Sequence, residues 1–134
     1  MIRTDVSVSI KILITVPGLP NSKVGLNSRK YFKTKNKIFQ KEKERLIDLV
    51  IMSGERKDPL WERVSLEFTF ISKDKIRRDV DNCIGNAKPW IDALQGLIIP
   101  ADDWRHIYKV SGEYYVRNVE ESYTEILIRN NIRH

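Results

Sequence analysis

Between Val6 and Val16 the apolar residues Val6, Val8, Ile10, Ile12, Ile14 and Val16 alternate with Ser7, Ser9, Lys11 and Thr15. A period of two sets one face of a strand against a core, whereas a helix would scatter the same residues around its circumference. The chain therefore needs a sheet with a covered face, and elements to cover it. The alternation Val64, Leu66, Phe68, Phe70 predicts a second strand, and Arg105–Arg117 and Tyr123–Arg129 read as two more. Ile38, Phe39, Leu46, Leu49, Val50 and Met52 recur at helical spacing, predicting a helix from about Asn36 to Ser53 with Gly54 as its stop. Val80, Cys83, Ile84, Ala87, Ile91 and Leu94 mark the stripe of a second helix, stopped by Gly96. Pro89 lies inside that stripe, and an interior proline removes a hydrogen bond and clashes with the preceding turn. A kink or restart near Asn86 is expected. The order strand, helix, strand, helix, strand, strand predicts an α/β (α+β) fold: one domain over residues 1–134, a mixed sheet and two main helices packed on it.

Composition narrows the chemistry. Cys83 is the single cysteine, which excludes an internal disulfide, and with only His106 and His134 beside it a structural zinc site lacks ligands. Any metal here is expected to be held by oxygen. No apolar run approaches the ~20 residues of a membrane span, so no membrane partner is expected. Met1 to Asp5 lack the basic, apolar and small-residue regions of an export signal, which makes a cytoplasmic location the default expectation. The formal net charge of +6 suggests a polyanionic partner, because phosphate-bound lysine and arginine release condensed counterions. The polar stretch from Pro17 to Asn36 reads as a long loop, and its Lys23, Arg29, Lys30 and Lys33 are expected to contact DNA, with Tyr31 and Phe32 available for stacking. Lys41, Lys43 and Arg45 suit a solvated helix face. Trp61, Trp90 and Trp104 are expected mostly in the core, with Trp104 at the edge of the acidic segment it follows.

The most informative run is Arg77-Arg78-Asp79-Val80-Asp81-Asn82. Two carboxylates one residue apart repel each other unless a cation or hydrogen bonds accept their charge. At a strand-to-helix junction they can converge on a hard cation such as Mg2+, and Arg77 and Arg78 are placed to meet phosphate. The plainer alternative is that Asp81 caps the helix and Asp79 pairs with an arginine, a cap being worth about 1 kcal/mol. A second acidic pair, Asp102-Asp103, follows the helix stop, where the chain has turned back and can return to the start of the helix. At about 100° per residue, Asp81, Lys88 and Asp92 share one sector of the second helix, away from its apolar stripe. A solvated Lys88–Asp92 pair is the plainer reading there.

Taken in order, Asp79-Val80-Asp81-Asn82, Lys88, Asp92-Ala93-Leu94-Gln95-Gly96 and Asp102-Asp103 resemble the RusA family of Holliday-junction resolvases. That family's pattern is D-x-D-N, a lysine four residues before D-A-L, and a later acidic pair; the match spans residues 77 to 110. The resemblance implies a RusA-like homodimer, dependence on Mg2+ with Mn2+ as a substitute, and paired nicks across a four-way DNA junction in recombination and repair, often in phages. Position by position, Asp79 and Asp81 match the first two metal-binding acids, Asp103 the third, Asp102 its neighbour, and Lys88 the catalytic lysine. The chain departs from the pattern by an insertion of nearly one helical turn around Gly85-Asn86-Ala87, which moves Lys88 by up to ~4.5 Å along the axis. Ile91 also stands where some members place a phenylalanine at the junction centre. Two alternatives stay open: a metal-dependent nuclease for flaps, forks or single strands, and a non-catalytic nucleic-acid-binding module.

Overall fold

The structure, a computed structural model, describes residues 11–25, 32–76 and 78–131. Strand β1 (Lys11–Pro17) is followed by a 3-10 turn (Ser22–Gly25), helix α1 (Phe32–Met52), strand β2 (Val64–Ser72), helices α2 (Val80–Asn86) and α3 (Lys88–Asp92), and strands β3 (Ile107–Val116) and β4 (Tyr123–Asn130). The sheet order is β1-β4-β2-β3. β4 runs antiparallel to both β1 and β2, while β2 and β3 are parallel. A parallel pair cannot be joined by a tight hairpin, and the α2–α3 segment supplies the crossover. The molecule is thus the expected single small α+β domain with one mixed sheet.

Alternation sets the two faces of that sheet. In β1, Ile12, Ile14 and Val16 are buried and Lys11, Leu13 and Thr15 are exposed. Leu66, Phe68 and Phe70 of β2 and Ile126 and Ile128 of β4 join them in a core closed by Leu46 and Val50 of α1 and by Trp90, Ile91 and Leu94. Each such side chain contributes about 1.5–3 kcal/mol on burial, so the helical layer is fastened to one face. The other face is open. There Leu13 is 52% exposed, Arg129 pairs with Glu67 at 2.6 Å, and a shallow cavity of about 330 Å³ is lined by Glu67, Thr69, Glu113 and Glu125 among others.

Two boundaries bear on the site. Helix α1 is already helical at Phe32, ahead of the expected Asn36, so Lys33 belongs to its first turn rather than to a loop. The second helix breaks as Pro89 requires: α2 ends at Asn86, Ala87 has φ −87° and ψ 4°, and Pro89 sits in the first turn of α3, where its missing N–H has no partner to lose. Gly96, at φ 79°, takes the left-handed conformation expected of a helix stop. No helix among the described residues is long and apolar enough to cross a membrane.

Candidate functional site

The approach to Asp79 is braced. The Arg78 guanidinium donates to both carboxylate oxygens of Asp74, at 3.0 and 3.3 Å, and to the Tyr114 hydroxyl at 2.5 Å. Asp74 also accepts the backbone N–H of Ile76 at 3.0 Å and the Ser72 hydroxyl at 3.1 Å. Charge-assisted, bidentate bonds of this kind are among the stronger ones. The Arg78 hydrogen bonds, then the Ile76 N–H, hold the Asp74 carboxyl down at about 2, and Asp74 in turn raises Arg78. Arg78, expected on phosphate, is therefore committed to tying the segment after β2 to Tyr114 of β3.

That segment delivers Asp79 to the N-cap of α2 with φ −79° and ψ 136°, yet its side chain makes no capping hydrogen bond. Its carbonyl accepts the Cys83 N–H at 3.0 Å, so the backbone is fixed while the carboxylate stays exposed. Asp81, in the first turn, is exposed as well. Neither carboxylate has a side-chain hydrogen bond or ion pair among the described residues. Among the described residues Asp81 caps nothing and Arg78 pairs with Asp74 rather than with Asp79, while Arg77 lies outside them. The orientation of α2 follows from packing. Val80 and Ile84 lie over Gly112 of β3, where an added Cβ would come within 3.1 Å of Val80 Cγ1 and 3.0 Å of Ile84 Cδ1. Turning Val80 inward turns its two neighbours outward. Cys83 is buried, and burial pushes its thiol up, away from reactivity.

One helix further on, Lys88 Nζ bonds Asp92 Oδ1 at 2.8 Å and Asp102 Oδ2 at 2.5 Å. The expected Lys88–Asp92 pair is present, and Asp102 joins it. Burial pulls the Lys88 ammonium down, but its bonds to Asp102 and Asp92 outweigh this and the net shift is upward. Burial, then the neighbouring Asp102, pushes Asp92 up, while Asp92 and Lys88 hold Asp102 down. The cluster pins the acidic loop to the start of α3. Asp103, next in line, is exposed; its Oδ1 accepts the Arg105 N–H at 3.0 Å, and its carbonyl accepts the N–H groups of His106 and Ile107 at 3.0 and 2.9 Å.

The structure thus brings Lys88, Asp92 and Asp102 together. It does not gather Asp79, Asp81 and Asp103 into a closed cage, for no three Asp, Glu, His or Cys side chains among the described residues converge closely enough to hold an ion by themselves. Asp102 is tied to Lys88, which stands seven positions after Asp81, about 10 Å along a continuous helix. The donors that are present still suit Mg2+, which binds oxygen, keeps several waters and usually takes one or two carboxylates together with substrate phosphate. Asp79 and Asp81 are two carboxylates of that kind, without partners among the described residues.

Of the basic residues, Lys23 is exposed on the 3-10 turn, which packs against α2 and so stands beside the acidic helix. Arg29, Lys30 and Arg77 lie outside the described residues, as do Tyr31, Val6 to Ile10 at the start of the expected strand, and the side chains of Phe32 and Lys33. Sequence reasoning missed Asp74 and Tyr114 as the brace. Asp74 stands four residues before Arg78, a signal that was there to read, whereas Tyr114 is 36 residues away and becomes a neighbour only through the parallel register. Trp61 and Trp90 are core residues, but Trp104 is 78% exposed. Compared with known proteins, the sequence matches no family model and no curated protein.

Proposed function

We propose that this chain is a Mg2+-dependent endodeoxyribonuclease that resolves four-way DNA junctions by paired hydrolysis of phosphodiesters. The observation that carries this reading is the state of Asp79 and Asp81: two exposed carboxylates, one residue apart on a braced backbone, with no cap, hydrogen bond or ion pair among the described residues. In a chain of net charge +6 cationic side chains are in excess, yet among the described residues none pairs with these two acids. A divalent cation that also binds a phosphate of the substrate compensates both.

Asp79 and Asp81 are the residues that would hold such an ion, and the resemblance to the resolvase pattern adds Asp103 from the loop after α3. When bound it supplies electrophilic assistance to phosphodiester hydrolysis. The chain's own residues do the positioning. Arg78 and Asp74 fix the backbone under Asp79, and Val80 and Ile84 fix the face that α2 presents. Lys88 holds the Asp102-Asp103 loop to α3, and Lys23 adds positive charge beside α2 for the DNA backbone. Junction resolution requires two symmetric cuts, which a two-fold homodimer provides.

A second reading, a nucleic-acid-binding module without catalysis, has one observation in its favour: Lys88 is neutralised by Asp92 and Asp102, and no three-acid group closes among the described residues. Cleavage of a synthetic four-way junction in Mg2+, Mn2+ and Ca2+, beside the Asp79→Asn protein, separates the two. The nuclease reading expects metal-dependent nicking, reduced at least about a hundredfold in Asp79→Asn with junction affinity kept. Cutting by that variant at the wild-type rate sinks the assignment, and binding without nicking in any metal selects the module. Three-way and linear substrates test branch preference in the same assay.

A further inference from the structure

We propose that Trp104 is a stacking platform for an unpaired nucleobase of the DNA substrate, an inference that rests on the nuclease reading above. All three tryptophans of the chain are described; Trp61 and Trp90 are 9% and 1% exposed, against 78% for Trp104. An aromatic side chain buries about 150–250 Å² when covered, so this indole leaves a large flat apolar surface in water. On a frayed tail that would mean little.

Here the backbone on both sides of the ring is held. Before it, Asp102 is bound to Lys88 at 2.5 Å. After it, the Arg105 N–H is held by Asp103 Oδ1 at 3.0 Å, the N–H of His106 by the Asp103 carbonyl at 3.0 Å, and the His106 ring nitrogen Nδ1 lies 2.6 Å from the Glu62 carbonyl. A ring standing on fixed backbone loses little freedom when a ligand covers it, which is what makes a preorganised contact favourable.

The surroundings select the ligand. The Arg105 guanidinium lies over the indole, 5.8 Å from its centroid, so a base would use the ring's other face with a cation close by for its attached phosphate. Its neighbours in sequence, Asp102, Asp103, Arg105 and His106, are all polar or charged, a setting that favours a charged ligand over the apolar centre of a protein–protein interface. Asp103, one of the acids assigned to the cation, is its immediate neighbour. Every base has a π-face, so stacking tolerates any sequence, but only an unpaired or unstacked base presents that face. Trp104 would therefore recognise the opened strand at a branch point and set it beside the acids.

Intrinsic fluorescence tests this, because the other two indoles are buried. In EDTA, where nothing is cut, the protein is titrated with a four-way junction, a single strand and a blunt linear duplex, with binding followed in parallel by the anisotropy of a labelled DNA. The expected result is quenching of tryptophan emission by the junction and the single strand, with little by the duplex. Trp104→Phe should keep junction affinity within a few-fold, and Trp104→Ala should lose about tenfold, both with the wild-type melting curve. Saturable binding with unchanged emission, equal quenching by blunt duplex, or wild-type affinity in Trp104→Ala overturns the proposal. Emission that shifts with protein concentration in the absence of DNA also overturns it, because the ring is then covered by a second copy of the chain. Metal-dependent cutting scored on the same preparations shows whether the nuclease reading survives that result, while failure to bind any of the three DNAs overturns both.

Discussion

Arg78 shows how one residue's charge can be read correctly and its partner missed. The Arg77-Arg78 doublet before two acids suits phosphate, but the guanidinium of Arg78 is already engaged by Asp74 and Tyr114. Its removal should act through Asp79: Arg78→Ala is expected to lower cleavage by up to about a hundredfold, the scale of an ångström of misplacement in an active site. The salt dependence of junction binding should stay the same. Lys23→Ala should do the reverse, weakening binding and reducing the salt slope by about 1, and measuring both slopes by anisotropy separates a brace from a phosphate contact. Acid stability gives a second check. Asp74 falls from its ordinary 3.8 to about 2 in the folded protein, so the stability it confers is fully present above pH 3.8 and is lost as pH falls through about 2. Melting temperatures taken from pH 5 to pH 2 should drop across that window, and the drop should be shallower in Asp74→Asn. The acids themselves were legible, since Asp79-x-Asp81-Asn82 stands out in the sequence. That Arg78 leaves them for Asp74 was not, because it depends on how the segment after β2 folds back.

At the level of elements, periodicity reported whatever touches the core. Strand β1 shows clean alternation because one face is buried, β2 alternates in sequence through Phe70 although Ser65 and Ile71 on its other face are buried too, and the break between α2 and α3 was announced by Pro89. The first turn of α1 was missed because Lys33, Thr34 and Lys35 contribute no apolar position, leaving no stripe to detect. Likewise Asp102 returns to Lys88 at the start of α3 rather than to Asp81 in α2, a difference of about two helical turns that no spacing rule fixes. What places α2 is its contact with β3, and that contact hinges on Gly112, which has no Cβ to hold Val80 and Ile84 away. Gly112→Val would push side-chain carbons into a site where Cβ alone meets Ile84 at 3.0 Å. The expected cost is about 1–3 kcal/mol, as for other overpacked sites, read as a lower urea midpoint with unchanged slope. The lifted helix carries Asp79 and Asp81 with it, so cleavage should fall further than the lost stability explains.

For the whole molecule, the resolvase reading makes a demand that one chain does not meet. A four-way junction is resolved by two cuts on opposing strands, and one chain offers a single set of Asp79, Asp81 and Asp103. Two copies related by a two-fold axis would place identical sites symmetrically, which is why a closed homodimer belongs to the proposal. Composition suggests a polyanionic partner but is silent on this pairing, because self-association depends on surfaces that only folding creates, such as the sheet face with its exposed Leu13. Co-expressing the wild-type chain with a separately tagged Asp79→Asn chain turns the demand into a measurement. If two active copies must act within one dimer, linear product from a cruciform plasmid follows the square of the wild-type fraction. Equal expression then gives about one quarter of the full yield, with singly nicked circles making up much of the remainder. A linear yield of about one half, following the wild-type fraction directly, means that each active chain completes resolution alone, and the two-fold arrangement then has to be given up even if every acid is correctly assigned.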